Sequence, residues 1–263
     1  MAAAEGLLVA GVTVRFGQVT AVDGVALAAF PGAVTGLVGP PGAGKTTLID
    51  VIAGRRRPAA GAVLLDGAEL TGRSAPGVAR AGQRPGPFGR ATVHEHVRAA
   101  ADRHARRAPY AGRSARDRRR RRRDARRDTG RRADELLSRV GVAEYAGRRA
   151  GNVPAEVARL ADVARALAAE PAVLLLDEPW AGLPPYRSRA LEVLVRDVAA
   201  EGVAVVVTAD ALEPVMGVCD VVHLLDAGRT VAAGPPAEVR GVTTCRSRDA
   251  AGLREAAPSR APW

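Results

Sequence analysis

The chain has 263 residues, enough for one large domain or two small ones with a real core. Hydrophobic residues make up 47% and aromatics 3%, an Ala/Val/Leu-rich blend with 29 Gly and 18 Pro that suits α/β architecture better than a helical bundle. The net charge of +11 invites a nucleic-acid reading, while no apolar run approaches the ~20 residues that cross a bilayer and Met1–Glu5 lacks a basic signal region.

Leu7–Arg15 reads as a strand of mixed alternation, and Val25–Phe30 as a second, closed by a Pro31-Gly32 turn. Val34–Val38 is a short apolar run that ends at a glycine-rich loop. Thr46–Ala53 reads as a helix stopped by Gly54, and Val63–Leu65 as a strand entering the Asp66-Gly67 turn. From Thr92 to Ala169 the spacing turns helical, clearest over Asp134–Val140 and Ala155–Ala169. Ala172–Leu176 and Val203–Val207 are fully apolar, as strands buried on both faces of a parallel sheet are. Val221–Leu225 is a further strand, followed by an Asp226-Ala227-Gly228 turn. The tail from Gly241 lacks periodicity and reads as weakly ordered.

The net positive charge is concentrated between Arg103 and Arg132, around the unbroken run Arg118–Arg123. Asp117, Asp124 and Asp128 interrupt it and Tyr110 is its only aromatic, so the stacking residues of a single-strand binder are missing. A solvated, partly disordered insertion is the leading reading. Docking on an anionic membrane surface comes second and nucleic acid third. Cys219 and Cys245 have no metal-ligand spacing and form no disulfide framework, which points to free thiols in a reducing compartment.

Of 39 basic residues, Lys45 alone is lysine. It stands in Gly39-Pro40-Pro41-Gly42-Ala43-Gly44-Lys45-Thr46, which matches the phosphate-binding pattern G-x-x-x-x-G-K-[ST] at every fixed position. A compact ammonium fits a cradle of backbone amides where the wide fork of arginine does not. Strand, glycine loop, then helix is the context that aims loop amides and a helix N-terminus at an anion. Far downstream, the strand Leu174-Leu175-Leu176 delivers Asp177-Glu178 to the carboxyl edge of a parallel sheet. There Asp177, with the Thr46 hydroxyl, is suited to Mg²⁺, and Glu178 to polarising an attacking water. The expected ligands are a nucleoside triphosphate and Mg²⁺.

With these motifs in place, the chain resembles the ATP-binding subunits of ABC transporters, most of all the branched-chain amino-acid import type, from about Leu8 to Val239. Arg15-Phe16-Gly17 followed by Ala21-Val22 resembles the opening of that family, which implies that Phe16 stacks on adenine. Gln83, with Phe88 and Thr92-Val93-His94-Glu95 beyond, resembles the family's glutamine loop, which implies contacts to Mg²⁺ or water and to the membrane subunit. Ala164-Arg165-Ala166-Leu167-Ala168, Gly182-Leu183, Val215-Met216, Cys219-Asp220, Leu225-Asp226, Gly228 and Gly234 continue the likeness. The resemblance implies a phosphate cradle of Gly39, Pro40, Pro41, Gly42, Ala43, Gly44, Lys45, Thr46 and Thr47. It implies Mg²⁺ held by Thr46, Gln83 and Asp177, and catalysis by Glu178 and Gln83.

Three family positions depart. The Leu-Ser-Gly-Gly-Gln signature falls on Val153-Pro154-Ala155-Glu156-Val157, the acid or amide after Gly182-Leu183 is Pro184, and the switch histidine falls on Ala209, with Asp210 after it. Losing one transition-state donor costs about 10²–10³ in rate, so slow turnover is expected. His94 and His96 sit two apart, a spacing that does not face one partner on a helix, and Trp180 reads as packing.

The expected fold is α/β, a P-loop core sheet flanked by helices, with an N-terminal antiparallel β region and a helical insert at roughly 84–168. One ATP-binding domain is expected over 1–240, with a tail over 241–263. The expected partners are transmembrane permease subunits and a second ATP-binding subunit, at the cytoplasmic face of the cell membrane. The alternative is a catalytically impaired regulatory or scaffold ATP-binding protein.

Overall fold

The computed structural model describes residues 6–72, 77–82, 91–105 and 115–240, except the side chains of 82, 115–123, 125 and 126. The expectations for Gln83 and for the tail at 241–263 lie outside the described residues.

Two sheets share one core. Strands β1 (Leu7–Phe16), β2 (Val19–Ala29), β4 (Ala60–Leu65) and β5 (Ala68–Glu69) form an antiparallel sheet in the order β2-β1-β4-β5. The second sheet uses β3 (Val34–Val38), β6 (Val78–Gly82), β7 (Val173–Asp177), β8 (Ala204–Ala209), β9 (Val221–Asp226) and β10 (Arg229–Gly234). Its order is β10-β9-β3-β8-β7-β6, parallel throughout except for the antiparallel edge strand β10. Crossovers between the parallel strands run through α1 (Lys45–Ile52), α2 (Val93–Ala105), α3 (Ala115–Arg139), α4 (Ala155–Leu167) and α5 (Pro185–Ala200). The α/β expectation, with its antiparallel N-terminal region, agrees with this architecture.

The period of two along the central strands sorts side chains between two apolar clusters. Val173 and Leu175 of β7, Ala204 and Val206 of β8 and Leu37 of β3 face α1 and the antiparallel sheet. Leu174, Leu176, Val205, Val207 and Ala209 face the other way, into a cluster with α4 and α5. Every residue of β3, β7 and β8 is buried, which is why these strands read as continuous apolar runs.

The helical region opens on a reciprocal cap. Thr92 Oγ1 accepts from the Glu95 amide at 3.2 Å, and Glu95 Oε2 accepts from the Thr92 amide at 2.9 Å, so two orphan donors at the start of α2 are satisfied. The arginine run, expected as a solvated and partly disordered insertion, lies within α3, whose backbone continues through Arg118–Arg123. Arginine is a good helix former, and the C-terminal part of α3 is anchored by buried Ala133, Leu136 and Leu137 and by Thr129, which donates to Asp102 at 2.7 Å. No helix among the described residues is long and apolar enough to cross a membrane.

Candidate phosphate-binding site

The glycine loop leaves β3 at Gly39, whose amide donates to the Ala209 carbonyl at 3.1 Å and so ties the loop to the end of β8. A Cβ at Gly39 would lie 2.1 Å from the Leu225 carbonyl oxygen, and one at Gly44 would lie 2.4 Å from that of Ala21. Gly42 and Gly44 also have φ of +84° and +100°, the left-handed region that favours glycine. These glycines have different reasons for being there. Gly39 and Gly44 press their backs on neighbouring backbone, whereas a Cβ at Gly42 would meet nothing within 4 Å.

Lys45 opens α1 and is 4% exposed. Its ammonium donates to the carbonyls of Gly39 (2.6 Å) and Pro40 (3.1 Å) and to Asp210 Oδ1 (2.7 Å). An ammonium has three donors, so all three are engaged. The amides of the first turn of α1 have no acceptor within their own helix and stand beside this cation.

Asp177 ends β7 and is buried. Its Oδ1 accepts from Thr208 at 2.8 Å and from Thr46 at 3.3 Å, while Oδ2 accepts from Arg80 at 2.6 Å. Arg80, in the middle of β6, also pairs with Asp50 of α1. Thr208 Oγ1 in turn accepts the Glu178 amide at 2.8 Å. Glu178 turns the chain at φ +49°, an uncommon conformation for a non-glycine residue and one that clusters at functional sites. Burial, then the neighbouring Asp210 carboxylate, pushes the Glu178 pKa up against the opposing pull of Lys45. Arg159 of α4 feels the Glu178 charge, yet burial lowers its pKa.

Lys45, Thr46, Asp177 and Glu178, expected from the sequence, thus converge at the carboxyl edge of the parallel sheet. Phe16, 44% exposed, ends β1 with the Arg56 guanidinium 4.3 Å from its ring centroid. Sequence reasoning gave no role to Thr208, Arg80 or Asp210. The signal for Asp210 was parity: Ala209 packs in the cluster with α4 and α5, so the next residue turns toward the loop. Pro184 is the N-cap of α5, Pro154 that of α4, and Glu156 lies in the first turn of α4. His94 is near Asp134 and the Gly130 carbonyl, and Trp180 is buried in the core, as packing requires.

The donor set fits a polyphosphate with a hard divalent cation. A buried ammonium and the first-turn amides of α1 suit phosphate oxygens, and a hydroxyl beside a carboxylate offers the oxygen ligands such a cation takes.

Comparisons with known proteins agree. The sequence model of the ABC transporter family matches residues 22–181. The chain is 31% identical over 240 residues to the high-affinity branched-chain amino acid transport ATP-binding protein LivG of Escherichia coli (strain K12), covering 89% of this chain and 93% of that protein. It is 31% identical over 250 residues to the methionine import ATP-binding protein MetN of Rhizobium johnstonii, covering 89% of this chain and 64% of that one. In fold it is similar to the ADP conformation of an ATP-binding cassette of an ABC transporter, with TM-score 0.71 and 24% identity over 88% of this chain and 91% of that chain. With the loop, the acid pair and this likeness along most of its length, the chain belongs to the ABC transporter family as an ATP-binding domain.

Proposed function

We propose that the chain is the ATP-binding subunit of an ABC importer for an amino-acid-type solute, and that it hydrolyses ATP slowly. The observation that carries this reading is the convergence of Lys45, Thr46, Asp177 and Glu178 on one sheet edge. The solute class rests on likeness to LivG and MetN, whose names state amino-acid transport.

In this reading Gly39–Thr47 cradles the phosphates, with Lys45 on the terminal ones and Phe16 under the base. Thr46 and Asp177 supply the cation's oxygen ligands, and Gln83 completes that set. Bound Mg²⁺ would neutralise charge on the terminal phosphates. Glu178 orients a water and takes its proton; its raised pKa makes it a better base than an ordinary carboxylate once ionised. Turnover is slow because Pro154, Ala155 and Glu156 offer no signature serine or glycines, and Pro184 and Ala209 offer no side-chain donor. The unit is residues 1–240, its helical insert is 84–168, and it pairs with a second ATP-binding subunit and with permease subunits at the inner face of the membrane.

The test is MgATP turnover by the purified chain at saturating ATP, with Glu178→Gln as control. Bound nucleotide with a Glu178-dependent rate well under ~1 s⁻¹ is expected. A rate within the ~1–10³ s⁻¹ span of ordinary enzymes overturns the impaired-hydrolysis part, and no nucleotide bound overturns the whole.

A further inference from the structure

We propose that the arginine-rich half of α3 adsorbs to an anionic lipid surface, giving the chain an attachment to the membrane besides its permease subunits. This rests on the reading above that the chain works at the inner face of a membrane.

α3 divides at Thr129. On the C-terminal side Ala133, Leu136 and Leu137 are buried, and Thr129 itself donates to Asp102 of α2. On the N-terminal side, residues 115–128 are arginine, aspartate and alanine only. Nine arginines stand against three aspartates there, a net +6 of the whole chain's +11. At the rise of an α-helix, Arg118–Arg123 lie roughly 9–17 Å along the axis beyond the contact of Thr129 with α2. The described side chains of this stretch, Asp124, Arg127 and Asp128, are all exposed.

Six consecutive arginines turn through about 500° of helix, so positions in every direction round the axis are basic. No face is apolar, so nothing in this stretch calls for burial in a protein core or among acyl chains. Arginines three and four apart, such as Arg118 with Arg121 and Arg122, repel one another along a helix. A layer of negative headgroups relieves that repulsion, and each cation brought close to it adds to the attraction.

Two observations favour lipid over nucleic acid. Residues 115–128 hold no aromatic ring to stack on bases and, apart from arginine, no side chain that donates to base edges. A subunit held beneath a permease also has headgroups already within reach, so a weak attraction suffices.

The test is sedimentation of the full chain with phosphatidylcholine vesicles holding about a third phosphatidylglycerol, and with pure phosphatidylcholine vesicles. At low salt, binding to the anionic vesicles is expected to be at least ~10-fold tighter. It should be lost near ~0.5 M salt, where the Debye length falls to about 4 Å. A variant with Arg119→Gln, Arg120→Gln, Arg122→Gln and Arg123→Gln together is expected to bind them at least ~10-fold more weakly, and the same four changed to Lys within ~3-fold of wild type. Gln and Lys are both good helix formers, and melting temperatures confirm folding. Equal binding to the two kinds of vesicle overturns the inference, as does a Gln variant that binds like wild type. So does duplex DNA or RNA that strips the chain from the vesicles at equal phosphate concentration. MgATP binding, measured without vesicles, tests the nucleotide reading by itself, so failure of one is told from failure of the other.

Discussion

Thr208, one residue before the end of β8, and Asp177, at the end of the neighbouring parallel strand β7, are joined by a hydroxyl that donates to the Asp177 carboxylate at 2.8 Å while accepting the Glu178 amide at 2.8 Å. One fully buried hydroxyl thus aims one acid and pins the backbone of the next.

Thr208→Val keeps the shape and removes both bonds. It strands the Glu178 amide, so a loss of about 1–3 kcal/mol in urea unfolding is expected. Thr208→Ser, which keeps the oxygen, should recover most of it. Equal losses in the two variants would remove the hydroxyl from the account.

Gly44→Ala and Gly42→Ala separate space from backbone conformation. Both positions have positive φ, but only at Gly44 would the new methyl meet a carbonyl, at 2.4 Å. Gly42→Ala should cost about 1 kcal/mol and Gly44→Ala distinctly more, read from chemical denaturation of both.

His223 lies in β9, where burial lowers its pKa below 6.5 and leaves Nδ1 without a hydrogen-bond partner among the described residues. The unfolded chain therefore binds this proton more readily than the folded one. The neutral ring's contribution is intact above pH ~6.5 and is lost as pH falls toward the folded value. Melting temperature should drop from pH 7.5 to 5.5, and His223→Leu should flatten part of that slope. His96, lowered chiefly by burial, keeps the rest. An unchanged slope in the variant would refute this.

Burial of the Cys219 thiol, with Asp220 beside it, pushes its pKa up to about 12. The thiolate is the reactive species. In a Cys245→Ser background, native protein at pH 8 should react with a thiol reagent no faster than it unfolds, and denatured protein at once. Rapid native labelling would place Cys219 at the surface.

The central strands were legible because burial on both faces leaves an unbroken apolar run, as in Leu174–Leu176 and Val205–Val207. β6 was not. Its Val-Ala-Arg-Ala-Gly carries a charge in mid-strand, and that charge is tolerable only because Asp50 and Asp177, distant in sequence, meet it. Through the arginines, charge density suggested a solvated, partly disordered insertion, whereas α3 runs on through them to the apolar contacts that anchor its C-terminal part. The site divides the same way. Lys45, Thr46 and Asp177 follow from motif spacing, whereas the contact of Asp210 with Lys45 depends on which way a side chain turns after β8.

The burial of Lys45 has a practical consequence. With 38 of the 39 basic residues arginine, the protein carries a single ε-amine, and it lies 4% exposed in the glycine loop. Acylation there would appear as one mass increment at one peptide. Covalent amine labelling can therefore follow occupancy of the loop without any substitution, because a ligand that shields or frees that nitrogen changes the yield of one modified species.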